Sequence, residues 1–160
     1  MKLLKELLSG LSVNSIIGNI SVSILGIHFN SKEVTKSSLF IAVKGESHNG
    51  HDFILDAISF GASAIICEDF PDKIIEHVTY VKVENSAFSL ALVASSFYNH
   101  PSRSIKLIGV TGTNGKTSTV YYLSELFSKL NFKVGVISTI ENKIINKKHL
   151  ATYTTPDPIA

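Results

Sequence analysis

The stretch Ile105-Lys106-Leu107-Ile108-Gly109-Val110-Thr111-Gly112-Thr113-Asn114-Gly115-Lys116-Thr117-Ser118-Thr119 runs from an apolar segment through a glycine loop into a helix-forming segment. Residues 105–110 read as a strand and residues 116–130 as a helix that opens directly on the loop. A strand, a tight glycine turn and a helix whose first N–H groups lack partners together make an anion site. Gly112 and Gly115 permit backbone angles and a close approach that a side chain would block. In such a loop Lys116 reaches the β and γ phosphates of a nucleotide, and the Thr117 hydroxyl ligates Mg²⁺. The general phosphate-loop pattern reserves a glycine where this chain has Val110, so spacing alone gives a partial match. The bland alternative is a strand-to-helix turn that merely uses glycine.

Downstream of the helix, residues 133–138 read as another strand, followed by Thr139 rather than by an acidic residue. The last twenty residues suggest a hairpin around Asn146-Lys147-Lys148, then Thr154-Thr155-Pro156-Asp157-Pro158. Upstream, Asn99-His100-Pro101-Ser102 is a candidate linker, because Pro101 closes one helix before a new strand begins. Before it lies an alternating set. A short amphipathic helix is expected to end near Gly10, and Val22, Ile24, Ile27 and Phe29 suggest strand structure. Residues 39–43 read as a buried strand stopped by Lys44-Gly45. Phe53, Ile54, Ala57 and Ile58 share a helix face that ends at Gly61, residues 64–67 and 79–83 read as strands, and Asn85 caps a helix through about Tyr98. The alternation implies an α/β layer fold of two domains, residues 1–100 and 101–160.

Composition agrees with a chain that buries a core: 44% of its 160 residues are hydrophobic and 18% charged. The net charge of +2 conceals an asymmetry, since residues 1–100 hold 7 Lys/Arg against 10 Asp/Glu and residues 101–160 hold 8 against 3. A basic second half suits nucleotide phosphates, although scattered lysines are also ordinary solvated surface. Residues 7–31 carry no formal charge, but six serines, three asparagines and three glycines there would each need a partner inside lipid. Glu6 interrupts what would otherwise mimic a signal peptide. The single cysteine, Cys67, permits no internal disulfide, in keeping with a reducing compartment. His48 and His51 have the spacing of metal ligands without cysteine or carboxylate partners to match, so His51 is expected to be structural.

Residues 109–119 resemble the ATP loop of the Mur ligase family, whose variant accounts for Val110. Asn30-Ser31-Lys32, Ser38-Leu39-Phe40-Ile41-Ala42-Val43-Lys44-Gly45, Asn49-Gly50-His51-Asp52-Phe53 and Gly61-Ala62 resemble the family's uridine-nucleotide domain. Thr154-Thr155-Pro156-Asp157 resembles a segment typical of the ligase that adds the third amino acid of the peptidoglycan precursor. The resemblance covers nearly the whole chain. It implies a small N-terminal α/β uridine-nucleotide domain followed by the start of a phosphate-loop ATPase domain.

The same resemblance implies that Gly112, Thr113, Asn114, Gly115, Lys116, Thr117 and Ser118 hold ATP, with Lys116 and Thr117 as the catalytic pair and Thr117 on Mg²⁺. Phe29, Ser31, Glu46, Ser47 and His48 would contact the UDP-sugar, and Thr154 and Thr155 the muramoyl peptide. The family usually has Asp-Ser-Arg at residues 30–32 and often a histidine where this chain has Tyr153, so a bidentate guanidinium contact is lost at Lys32. Phe29 has a bland alternative as core, Ser31 as a turn cap, and residues 154–156 as extended chain before proline.

The implied activity is ATP-dependent ligation of diaminopimelate or lysine to UDP-N-acetylmuramoyl-L-alanyl-D-glutamate. It would belong to a cytoplasmic monomer that meets neither nucleic acid nor membrane. Alternatives are the next ligase, which adds D-alanyl-D-alanine, a noncatalytic nucleotide-binding module, and an unrelated phosphate-loop ATPase. Family members carry a further Mg²⁺ ligand and an amino-acid-selecting domain beyond the position of Ala160. A partial chain without turnover of its own is therefore expected.

Overall fold

The computed structural model describes residues 1–45, 48–145, 147–151 and 157–159. They form two compact units, Met1–Ser104 and Ile105–Pro158.

The first unit is built on a five-stranded sheet in the order β2-β7-β6-β5-β4, comprising β2 (Val13–Ile17), β4 (Gly26–His28), β5 (Ser38–Ile41), β6 (Ala62–Cys67) and β7 (Thr79–Val83). Strands β4 to β7 pair in parallel and β2 joins β7 antiparallel at the edge, with a register shift between Val13 and Ser15. Successive side chains of a strand point to opposite faces. Leu39, Ile41, Ala64, Ile66, Val81 and Val83 therefore gather on one face, and Phe40, Ala42, Ile65, Cys67 and Tyr80 on the other. The first set packs against Leu4 and Leu7 of α1 (Leu4–Leu7) and Leu90, Val93 and Ala94 of α3 (Ser86–Phe97). The second set packs against Ile54 and Ala57 of α2 (Ile54–Ser59). A sheet covered on both faces needs apolar side chains in both directions, which is why residues 39–43 and 64–67 read as unbroken apolar runs.

Helix α3 starts where Asn85 accepts the Phe88 N–H through its side chain at 2.8 Å. A 3₁₀ turn over Gly50–Phe53 precedes α2, and the stretch after it ends at Gly61. The expected amphipathic N-terminal helix is only the single turn α1. Lys2–Leu3 forms strand β1, paired with β3 (Ser23–Ile24), and the first N–H groups of α1, those of Leu4 and Lys5, which have no partner within the helix, donate to the carbonyls of Val22 and Ile20. The strand expected through Val22 and Phe29 is split at Leu25 into β3 and β4, which pair with different partners.

In the second unit, α4 (Lys116–Lys129) is followed by an antiparallel sheet of β8 (Gly135–Ile137), β9 (Glu141–Ile144) and β10 (Lys147–Leu150), in the order β10-β9-β8. The expected hairpin is β9–β10, although Asn146 lies outside the described residues. The expected strand at residues 105–110 is not formed. Ile105, Leu107 and Ile108 are exposed and no strand among the described residues pairs with them. An apolar run becomes a strand only with a ladder partner. Among the described residues, no helix is long and apolar enough to cross a membrane.

Candidate functional site

In the second unit, the glycine loop feeds α4 through Gly115, whose φ of +78° places it in the left-handed region; Gly112 has φ +153°. Gly115 leads α4 without a side-chain cap, so the N–H groups of the first turn are left for an anion. Lys116 curls back over the loop, its Nζ donating to the carbonyls of Gly112 at 2.5 Å and Thr113 at 3.3 Å. Thr113, Asn114 and Ser118 are exposed and Thr117 is half-buried. Thr117 and Ser118, together with Tyr121, Tyr122 and Ile140, line an open cleft of about 350 Å³. The structure thus gathers the loop residues around one helix start, with Thr117 and Ser118 lining a cleft.

Sequence reasoning missed Tyr121, Glu141 and Lys148. The Tyr121 hydroxyl donates to Glu141, which Lys148 also meets at 3.1 Å. The hydrogen bond with Glu141 raises the Tyr121 hydroxyl's pKa, and Tyr121 and Lys148 hold the Glu141 carboxyl below its usual range. The only sequence signal is that Tyr121 falls one helical turn after Thr117.

In the first unit, the candidate substrate residues follow the carboxyl ends of neighbouring parallel strands, which is where open α/β sheets bind ligands. Phe29 and Ser31 come directly after β4. Phe29 packs against the core cluster, and Ser31 is buried at the start of a 3₁₀ turn capped by the Asn30 side chain, which accepts the Lys32 N–H at 3.1 Å. His48 follows β5 and is exposed. Glu46, Ser47, Thr154 and Thr155 lie outside the described residues, as does Tyr153.

The chain past β5 forms a short stem. Lys44 bridges Asn49, the Gly45 N–H donates to the His48 carbonyl at 2.9 Å, and the Gly50 N–H donates to the Val43 carbonyl at 2.8 Å. Beyond β6, Glu68 accepts both the backbone N–H and the hydroxyl of Ser86, at 3.0 and 2.8 Å, and pairs with Lys44 at 2.9 Å. Burial pushes the Glu68 carboxyl up, but the Ser86 N–H, Lys44 and the Ser86 hydroxyl outweigh it and bring it down to about 2. Asp69 links Lys44 and Lys82 at 3.5 and 3.3 Å. Among the described residues, no group of three His, Cys, Asp or Glu side chains could hold a metal ion.

A glycine loop opening an uncapped helix start, and a parallel sheet with polar residues at its carboxyl edge, are features found in nucleotide-binding α/β proteins. Two family models match the chain: the Mur ligase family catalytic domain over residues 23–98 and the Mur ligase middle domain over residues 110–160. The chain belongs to the Mur ligase family.

Among its relatives, the UDP-N-acetylmuramoyl-L-alanyl-D-glutamate–2,6-diaminopimelate ligases of Cytophaga hutchinsonii and Phocaeicola vulgatus are 47% and 41% identical, each over 98% of this chain and 32% of their own length. The chain therefore spans about a third of the length of the curated relatives it matches. The MurF ligase of Thermotoga maritima, solved in complex with ADP, is 36% identical with a TM-score of 0.50 over 71% of this chain and 25% of that one. A MurF structure from Acinetobacter baumannii, at 22% identity and a TM-score of 0.60 over 80% of this chain and 27% of that one, shares the fold.

Proposed function

We propose that these residues form the nucleotide-binding portions of an ATP-dependent ligase of the MurE type, which joins diaminopimelate or lysine to UDP-N-acetylmuramoyl-L-alanyl-D-glutamate. Residues 1–100 would take the UDP-sugar, with Phe29, Ser31, Glu46, Ser47 and His48 as contacts, and residues 101–160 would begin the ATP domain. The observation that carries the reading is the loop itself: Lys116 is held over the Gly112 and Thr113 carbonyls beside uncapped N–H groups of α4.

In this reading the N–H groups and Lys116 bind and orient the ATP phosphates and offset charge as the γ-phosphoryl group moves to the substrate carboxylate. The incoming amine then attacks the activated carbonyl carbon, phosphate leaves, and the amine gives up its proton. The Thr117 hydroxyl is a hard oxygen donor of the kind Mg²⁺ takes, and the ion would supply further charge neutralisation between the phosphates. Thr154 and Thr155 would contact the muramoyl peptide.

Relatives matched over 98% of the chain are named for the third addition, which favours it over D-alanyl-D-alanine addition. Cytoplasmic location, a monomeric state and independence of membrane and nucleic acid belong to the same proposal.

Calorimetry of the 160-residue chain with Mg-ATP and with UDP-N-acetylmuramoyl-L-alanyl-D-glutamate tests it. Lys116→Ala is expected to weaken ATP binding about tenfold or more, the scale of a charged hydrogen bond, and to leave the uridine nucleotide unaffected. A parent chain that binds no ATP overturns the ligase reading.

A further inference from the structure

His51 joins two segments that the sheet brings together from 17 residues apart. Its Nε2 accepts the Glu68 N–H at 2.9 Å and lies 3.4 Å from the Asp69 nitrogen, both just past the end of β6. Its Nδ1 lies 2.9 Å from Asn49 Oδ1, which also accepts the His51 backbone N–H at 3.1 Å. An acceptor at Nε2 and a donor at Nδ1 define one neutral tautomer, assigned here by the surrounding hydrogen bonds. An imidazolium has no lone pair for the Glu68 N–H, so protonation breaks the link at β6 while sparing the one at Asn49.

We propose that His51 is a positioning residue: as a neutral imidazole it bolts Asn49, the residue bridged to Lys44, to the carboxyl end of β6, so that uridine-nucleotide binding next to His48 requires it unprotonated. The inference rests on the uridine-nucleotide reading of the first unit. Asn49 is the closing residue of the stem, bridged to Lys44, and Gly50 is wedged against Val43, where a Cβ would lie 2.6 Å from the backbone nitrogen. The stem's other end is thus fixed to β5, and His51 supplies its tie to the neighbouring strand.

The charged groups around the ring are Lys44 from the end of β5, Glu68 and Asp69 from the end of β6, and Asp52 beside it. Burial and then Lys44 favour the neutral ring, outweighing the three carboxylates, so its pKa falls below the ordinary 6.5. The tie is complete at neutral pH and is lost as pH falls through that lowered value.

Two measurements on the 160-residue chain test the proposal, using His51→Gln, whose amide oxygen can still accept the Glu68 N–H but does not titrate. By ¹⁵N NMR without ligand, the Glu68 amide shift is expected to follow the His51 ring titration in the parent and to stay constant in His51→Gln. By calorimetry from pH 8 to pH 5, affinity for UDP-N-acetylmuramoyl-L-alanyl-D-glutamate is expected to fall in the parent once pH drops through the ring's lowered pKa, by about one decade per pH unit below it, and to stay level in His51→Gln. A Glu68 amide indifferent to the ring's titration overturns the latch, as does an affinity loss that persists in His51→Gln. A parent that binds no uridine nucleotide at pH 8 sinks the reading of the first unit and the ligand half of this inference, while the NMR result still decides the latch.

Discussion

The Tyr121 hydroxyl donates to Glu141, and so ties the β9–β10 hairpin to helix α4 one turn beyond Thr117. Lys148 closes the arrangement from β10, meeting Glu141 at 3.1 Å and lying 5.8 Å from the centre of the Tyr121 ring. Tyr121→Phe keeps the ring and deletes the donor. Amide exchange in β9 and β10 is expected to quicken while the first unit is unchanged. Equal exchange rates in parent and variant would show that the hairpin is held by its ladder alone.

Gly50 is required by crowding rather than by an unusual backbone angle. Its missing Cβ would lie 2.6 Å from the Val43 nitrogen and 2.7 Å from the Val43 oxygen, both main-chain atoms that cannot swing aside. Gly50→Ala is expected to cost about 1–3 kcal/mol, the usual range for overpacking, in urea unfolding followed by circular dichroism. A variant as stable as the parent would mean that the stem shifts freely.

Acid should weaken the first unit through Glu68. Its carboxyl titrates at about 2 in the folded chain against an ordinary 4.5, so the folded state favours the ionised form. The sign follows from linkage: the contribution is present above 4.5 and is lost as pH falls toward 2, where the folded state must also take the proton. Urea midpoints measured between pH 5 and pH 2 are expected to fall more steeply for the parent than for Glu68→Gln. Parallel curves would remove Glu68 from the account.

Asn85 starts α3 by accepting the Phe88 N–H. Asn85→Ala is expected to destabilise the first unit by about 1 kcal/mol, and Asn85→Asp, which keeps the acceptor, by much less. Similar losses for both would point to a packing role for the amide.

The sheet of the first unit was legible where burial is two-sided. Residues 39–43 and 64–67 are apolar in both phases of the strand period, and Asn85 and Pro101 punctuate α3 with residues whose chemistry starts and ends helices. Strand β2 was missed because Val13-Asn14-Ser15-Ile16-Ile17 is an exposed edge strand with a register shift, so neither alternation nor an apolar run marks it. Residues 105–110 failed in the opposite way: the apolar run was there, but pairing depends on a neighbour that no local pattern reveals. The glycine loop at the start of α4 could be read because all its parts lie within a few residues of one another. The links of His51 to Glu68 and of Tyr121 to Glu141 could not, because sheet order and hairpin docking alone bring them together.

Cys67, the chain's single cysteine, is wholly enclosed on β6, its thiol 3.9 Å from the Val81 carbonyl, and burial with Asp69 nearby pushes it up to about 11 despite Lys82. A maleimide reacts with the thiolate, so a closed sheet offers it neither access nor a nucleophile. The natural sequence thus contains its own stopwatch: with no engineered label site, the rate at which dye attaches counts the openings of the central strands, one molecule at a time.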